Sequence, residues 1–404
     1  MRPKAPTRRG TDAYPELALT QFRVHDRPVP AGSAATHAIV IGVGHYPHLI
    51  GGGKRLTISH DTMGQLSSPT ASARAFATWL IKELDDPMKP LASVALLLAE
   101  RRRKPFRNPK TRKNLSVAAA TMENVAKAIV EWKSAGDESS SNRLIFYFCG
   151  HGIAQGASVA LLLSDYGSND NDVLTAALDF MRFRTGMDAC AAREQVYFVD
   201  ACRASSDTLL AQLGRAGEPV IAPNPNLPRP PTPAAQPIFY STLAGAKAYG
   251  AAGKPSVFTD ALLRSLRGAG ADDTNGDWRV ETSQLNRAID VYMRREIESG
   301  RHPRAQVPAT VELTTFELHR LKDPPVVPTL VRCVTDQETR LARFSYVPST
   351  GGRPKTRRPA AVPWEVDLAQ GEYTFSARMP NQPARSRTVT VRPVERRVTL
   401  EPAV

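Results

Sequence analysis

Residues 143–152, RLIFYFCGHG, decide how this chain is read. After Arg143 come the aliphatic and aromatic residues Leu144 to Phe148, the composition of a strand buried on both faces. Within four positions the character changes to Cys149, Gly150, His151 and Gly152. Glycines commonly end strands, and a single histidine at such an end is most often structural. A second stretch alters that reading. Residues 194–204, EQVYFVDACRA, form another apolar run, and it ends on Asp200 and Cys202. One strand delivers an imidazole and another delivers a thiol.

Working outward, HAIVIGVGHYPHL (37–49) and ASVALLLAE (92–100) read as further buried strands. Between them PTASARAFATWLIKEL (69–84) has helical spacing, with Ala73, Phe76, Ala77 and Leu80 on one face. TMENVAKAIVEWKSAG (121–136) is a second amphipathic helix, with Thr121 as its N-cap and Gly136 near its end. PIFYSTLAGAKAYG (237–250) begins as a strand, PSVFTDALLRSLRG (255–268) is a helix, and residues 273–299 read as a loop and a further helix. Uninterrupted apolar strands alternating with helices describe an α/β fold with a mostly parallel sheet covered on both faces. In such sheets reactive groups collect at the carboxyl ends of the strands.

Composition sets the boundaries. Residues 1–35 form a basic extension, and the proline-rich segment 204–236 interrupts the α/β pattern, which spans 36–322. After the cluster KDPPVVPTL the periodicity changes to two, so 326–404 reads as a small antiparallel β-sandwich. The net charge of +14 is concentrated in Arg101–Lys113 and in the last eighty residues or so. The first cluster is broken by proline and carries only Phe106 as a stacking aromatic, so it reads as a solvated loop. A nucleic-acid module using that loop is an alternative reading, and nucleic acid is not the expected partner. No apolar run approaches the ~18 residues of a membrane span, and the first twenty residues lack the apolar core of a secretory signal. Four cysteines in 404 residues do not make a disulfide framework. A cytoplasmic setting with free thiols follows as the expectation.

A thiol attacks only as thiolate, and a neighbouring imidazole is the usual means of forming one at neutral pH. His151 and Cys202 are 51 positions apart, a histidine-to-cysteine spacing described for caspases. The likeness extends further. YFCGHG resembles the YxSGHG strand end of caspase-family cysteine peptidases, in the branch of metacaspases and bacterial caspase-like proteins, and VDACRA resembles their DxC nucleophile turn. HAIVIGVGHY is similar to their first strand, and IFYSTLAGAKAYG followed by FTDALLRSL to their small-subunit strand and helix.

The resemblance implies a caspase-like sheet sandwiched by helices and a cysteine endopeptidase with a Cys-His dyad. Cys202 would be the nucleophile and His151 the general base and acid, with the amides of Gly152 and Cys202 as oxyanion hole. Asp200 would line the pocket for an Arg or Lys before the scissile bond, and Tyr240, Ser241 and Thr242 would pair with the substrate backbone. Metacaspases add a second acidic residue, where this chain has Ser72. Basic specificity makes Arg215 and Arg107 candidate self-cleavage sites, whereas Arg229 and Lys104 precede proline. The implied partners are a protein substrate with a basic cleavage site and a regulator at the β-sandwich, in bacterial regulated death or antiviral defence. A non-catalytic scaffold of the same fold is the other alternative.

No cofactor or metal is expected. Cys149 reads as a buried filler, and a zinc site of Cys149, His151 and Cys202 lacks paired ligand spacing. The loop at Asp273, Asn275 and Asp277 imitates a calcium loop, but Trp278 and Gln284 replace the required glycine and glutamate.

Overall fold

The computed structural model describes residues 22–30, 32–156, 158–202, 216–227, 230–243, 253–274, 277–298 and 306–402. A seven-stranded sheet runs in the spatial order Arg23–Asp26, Leu91–Ala99, Thr36–Val43, Arg143–Gly150, Glu194–Ala201, Ile238–Tyr240, Ala309–Val311. The five inner strands are parallel and the two edge strands antiparallel to their neighbours. Every position of Thr36–Val43 and Arg143–Gly150 is buried, because both faces of the sheet are covered. On one face Ile39, Ile41, Phe146 and Phe148 pack with Val125, Ile129 and Trp132 of helix Met122–Asp137. On the other, Val40, Ile145 and Tyr147 pack with helices Ser68–Lys82, Val257–Arg264 and Thr282–Glu298. Ala73, Phe76, Ala77 and Leu80 are all buried, as their spacing predicts, and the Thr121 hydroxyl accepts from the Asn124 amide.

A charged residue opens the deciding strand. Arg143 is 1% exposed, and its guanidinium meets Asp86 at 2.9 Å, Glu194 at 2.8 Å and the Leu318 carbonyl at 3.1 Å. A buried cation persists only when so paired. It ties the floor of the sheet, at the end opposite His151.

Three expectations change. Part of the 1–35 extension belongs to the sheet, since Arg23–Asp26 is an edge strand and the Phe22 carbonyl accepts from the Leu96 amide at 3.0 Å. The Asp273 segment is not a helix-entry loop. Ala271–Thr274 and Asp277–Glu281 pair antiparallel, with Thr274 opposite Asp277, and Glu317–Arg320 adds a third strand. Asn275 and Gly276, between the paired strands, lie outside the described residues.

Beyond Pro325 two sheets enclose a core containing Val327, Val331, Phe344, Phe375 and Val391. This is the expected β-sandwich, but it is not purely antiparallel, because Val326–Cys333 and Arg396–Leu400 run parallel. Arg295 of the last α/β helix joins the sandwich through Glu365 at 3.1 Å and Glu395 at 3.2 Å.

Candidate active site

Strands Arg143–Gly150 and Glu194–Ala201 are neighbours, with Cys149 opposite Asp200 and Gly150 opposite Ala201. This register offset is the same 51 positions that separate His151 from Cys202. The two residues therefore each follow directly on the last paired residue of adjacent strands, which in a sheet lie about 4.8 Å apart. Cys202 is partly exposed and in no disulfide.

His151 is 9% exposed. Its Nε2 lies 2.7 Å from the Gly64 carbonyl. A carbonyl only accepts, so Nε2 carries the proton and Nδ1 is left as the basic nitrogen. The His151 backbone N–H donates to the Tyr46 hydroxyl at 2.8 Å, which donates onward to the Leu162 carbonyl at 3.2 Å. The Tyr46 and His151 rings sit 4.8 Å apart. Gln65 fixes this arrangement from behind: its amide accepts from Tyr46 N at 2.9 Å and donates to the carbonyls of Tyr46 and Ile50, both at 3.0 Å. Burial pushes the imidazole pKa down, opposed in part by the Gly64 bond. Tyr46, Gly64 and Gln65 were not among the residues singled out from sequence.

Gly152 opens the short strand Gly152–Gln155. A Cβ there would stand 2.6 Å from the Cys202 carbonyl oxygen and 3.0 Å from the Ala201 Cβ. Only glycine lets the two strand ends approach this closely.

Asp200 is 2% exposed, inside a ring of small polar groups. Its Oδ2 accepts from Thr259 at 2.8 Å, from Cys149 at 3.3 Å and from the Ser256 hydroxyl. Ser72 joins the cluster, accepting from the Ser256 amide at 2.9 Å. The Asp200 Oδ1 is buried with no hydrogen-bond partner among the described residues. Burial raises the Asp200 pKa, against the bonds from Ser256, Thr259 and Cys149. Cys149 is a buried donor to this carboxylate, and burial pushes its thiol well above the ordinary range. A buried thiol held as a donor to a carboxylate has little thiolate character.

The other residues singled out from sequence are placed differently. Tyr240 lies in the core, its hydroxyl on Met181 Sδ at 3.5 Å and its ring against Phe180. Its strand is not an open edge, because Ala309–Val311 pairs with it on the outer side. Ser241 and Thr242 are buried, both hydroxyls directed at the Ala201 carbonyl, and the Ser241 carbonyl is taken by the Gln306 side chain at 2.9 Å. At Tyr240 the outer side of this strand is already taken by the ladder with Ala309–Val311.

The basic segment is more ordered than its composition suggests. Phe106–Arg107 pairs with Asn114–Leu115, and Asn108 is 2% exposed. The Asn108 amide donates to the Lys113 carbonyl at 2.9 Å, while its side chain accepts from Lys110 and Thr111. The Arg107–Asn108 bond, at the candidate self-cleavage position Arg107, is held in a hairpin and not in an extended loop. Arg101, Arg102 and Lys104 line a cleft of about 700 Å³ shared with Gly44 and Gln65. Arg215 lies outside the described residues. No helix among the described residues is long and apolar enough to cross a membrane.

The caspase domain model matches residues 35–316. An uncharacterized protein of Sinorhizobium fredii is 27% identical over 259 residues, which cover 63% of this chain and 74% of that protein. A protein of a Desulfuromonadales bacterium named "Probable protease" is 30% identical over 214 residues, covering 51% of this chain and only 24% of its own length. Among solved structures, caspase-1 from Spodoptera frugiperda is similar at TM-score 0.40 and 15% identity, over 71% of this chain and 91% of that one.

Proposed function

The chain belongs to the caspase domain family, and from that premise we propose that it is a cysteine endopeptidase that cuts protein substrates after arginine or lysine. One observation supports the peptidase reading: His151 and Cys202 each follow directly on the last pair of two adjacent strands, Gly150 opposite Ala201, and Nε2 of the imidazole is committed to Gly64. Nδ1 takes the thiol proton and the Cys202 thiolate adds to the scissile carbonyl. The amides of Gly152 and Cys202 receive the developing oxyanion. His151 then returns the proton to the leaving amine, and the substrate acyl group remains as a thioester on Cys202. Water, deprotonated by His151, releases the acid and restores the thiol.

Basic specificity rests on the orphaned Oδ1 of Asp200. A buried acceptor without a donor favours a substrate that brings one, and a guanidinium or ammonium also supplies the opposite charge. The regulated-death or antiviral setting implied by the resemblance is part of the same reading. So is self-cleavage at Arg215, which precedes Ala216 and would appear by mass spectrometry as a fragment absent from Cys202→Ala.

The test is a fluorogenic peptide panel. Wild type should cleave Arg and Lys peptides, and Cys202→Ala should lose roughly three orders of magnitude or more, while Cys149→Ala keeps most of the activity. Asp200→Asn should lower the preference for Arg by about 10- to 100-fold, the scale of a hydrogen bond to a charged group. Activity surviving in Cys202→Ala defeats the nucleophile assignment. A wild-type preference for Asp or small apolar residues defeats the pocket.

A further inference from the structure

We propose that the cleft between helix Thr282–Glu298 and the C-terminal sandwich binds an oligophosphate anion. The cleft has a volume of about 810 Å³. Helix residues Arg287 and Arg294 line it from one side, and Arg387, Arg392, Arg396 and Arg397 from the other. Against six guanidinium groups stands one lining carboxylate, Glu395.

The acidic groups nearby are already engaged. Glu395 meets Arg397 at 2.7 Å and Arg295 at 3.2 Å, and Asp290 meets Arg294 at 2.9 Å. Arg287, Arg392 and Arg396 make no ion pair among the described residues, and the Arg396 Nε is buried without a hydrogen-bond partner. With Arg294 and Arg397 already paired, Arg287, Arg387, Arg392 and Arg396 leave an excess of positive charge along one concavity, and an anion entering it is drawn by their summed field.

The residue types narrow the ligand. All the lining cations are arginines, whose rigid fork of donors meets the oxygens of a phosphate in pairs, as an ammonium cannot. No aromatic side chain lines the cleft, so nothing offers a face for a base to stack on. Recognition therefore falls on the phosphate chain. Several linked phosphates carry enough oxygens to engage arginines of the helix and of the sandwich together. The inference does not depend on peptidase activity.

The experiment uses the full chain with sodium tripolyphosphate at physiological salt, read by calorimetric titration and by thermal unfolding. Saturable binding and a rise in Tm are expected, since a ligand held only by the folded state stabilises it. Arg287→Glu and Arg392→Glu, both at exposed positions, should each weaken binding at least about tenfold, the scale of one charge-assisted contact. Arg103→Glu, in the exposed basic segment, should leave it unchanged. ATP binding comparably to tripolyphosphate supports the proposal and points to a nucleotide's phosphates as the source. Several results would overturn it: no saturable binding, equal weakening by Arg103→Glu, or sodium sulfate raising Tm equally at matched ionic strength. Polyglutamate binding as tightly as tripolyphosphate, or a single-stranded oligonucleotide binding where tripolyphosphate does not, would replace it with a different ligand class.

Discussion

Asp200, Cys149, Ser72, Ser256 and Thr259 are buried together at the end of the central sheet, whereas the sandwich core gathers Val327, Phe344, Phe375 and Val391. Among the described residues after 325, the buried polar ones are only Thr329, Thr339 and Arg385. Topology explains the difference. A parallel sheet with helices on both faces has no wet face, so its polar chemistry is confined to the strand ends. A sandwich keeps two outer faces for polar side chains, and its interior can stay apolar. Lesions in the two halves should therefore separate, one removing chemistry and the other removing stability.

Phe375→Ala gives the largest expected effect on stability. The ring is fully buried, 6.0 Å from Tyr346 and 6.2 Å from Tyr373. Truncation should destabilise the sandwich by about 3–5 kcal/mol, seen as an early transition in urea. Cleavage per titrated active site should not change. Activity lost in step with the sandwich transition would mean that the sandwich props up the catalytic end, and the separation fails.

Gly152→Ala is the opposite lesion. The new Cβ meets backbone at 2.6 Å, so Cys202 or the Gly152 strand must shift. An oxyanion donor displaced in this way should cost kcat on the order of 10²–10³-fold, with the urea transition of the sandwich unmoved. Near-wild-type turnover would show that the close approach serves packing and not catalysis.

The sequence made part of this legible for a physical reason. Two parallel strands paired without a bulge keep a constant offset, so the 51-residue spacing of His151 and Cys202 already contained their adjacency. Helix faces and the Thr121 cap depend on local spacing and were equally readable. Gly64 was not, because it acts through a carbonyl that every residue possesses. Tyr46 stood in a quoted stretch, but its role depends on His151 and Leu162, more than a hundred positions away. Ser256 and Thr259 reach Asp200 only through tertiary packing. Tyr240 reads from sequence as lying on an open strand because the strand that closes its outer side, Ala309–Val311, comes about seventy residues later. Asn108-Pro109 did carry a turn signal, and the surrounding charge obscured it.

The smallest effect expected is a shift in pH dependence. His151 has its pKa lowered chiefly by burial, and the Gly64 bond opposes this only in part. A base with a depressed pKa in the folded state stays neutral below pH 6.5, so the dyad should keep its proton acceptor into mildly acidic solution. Stability runs the same way: protonation favours the unfolded chain, so His151's contribution is complete above about 6.5 and declines as pH falls through the folded value. The acid limb of kcat/KM reports the free enzyme's base, and its midpoint should lie below 6.5. Tyr46→Phe should sharpen the result, because the lost hydroxyl leaves the His151 N–H without its acceptor and loosens the ring's packing. With the imidazole better hydrated, that midpoint should rise toward 6.5. A wild-type limb centred at 7 or above would mean that the required base holds its proton more tightly than a buried imidazole does, and the assignment of that limb to neutral His151 would fail.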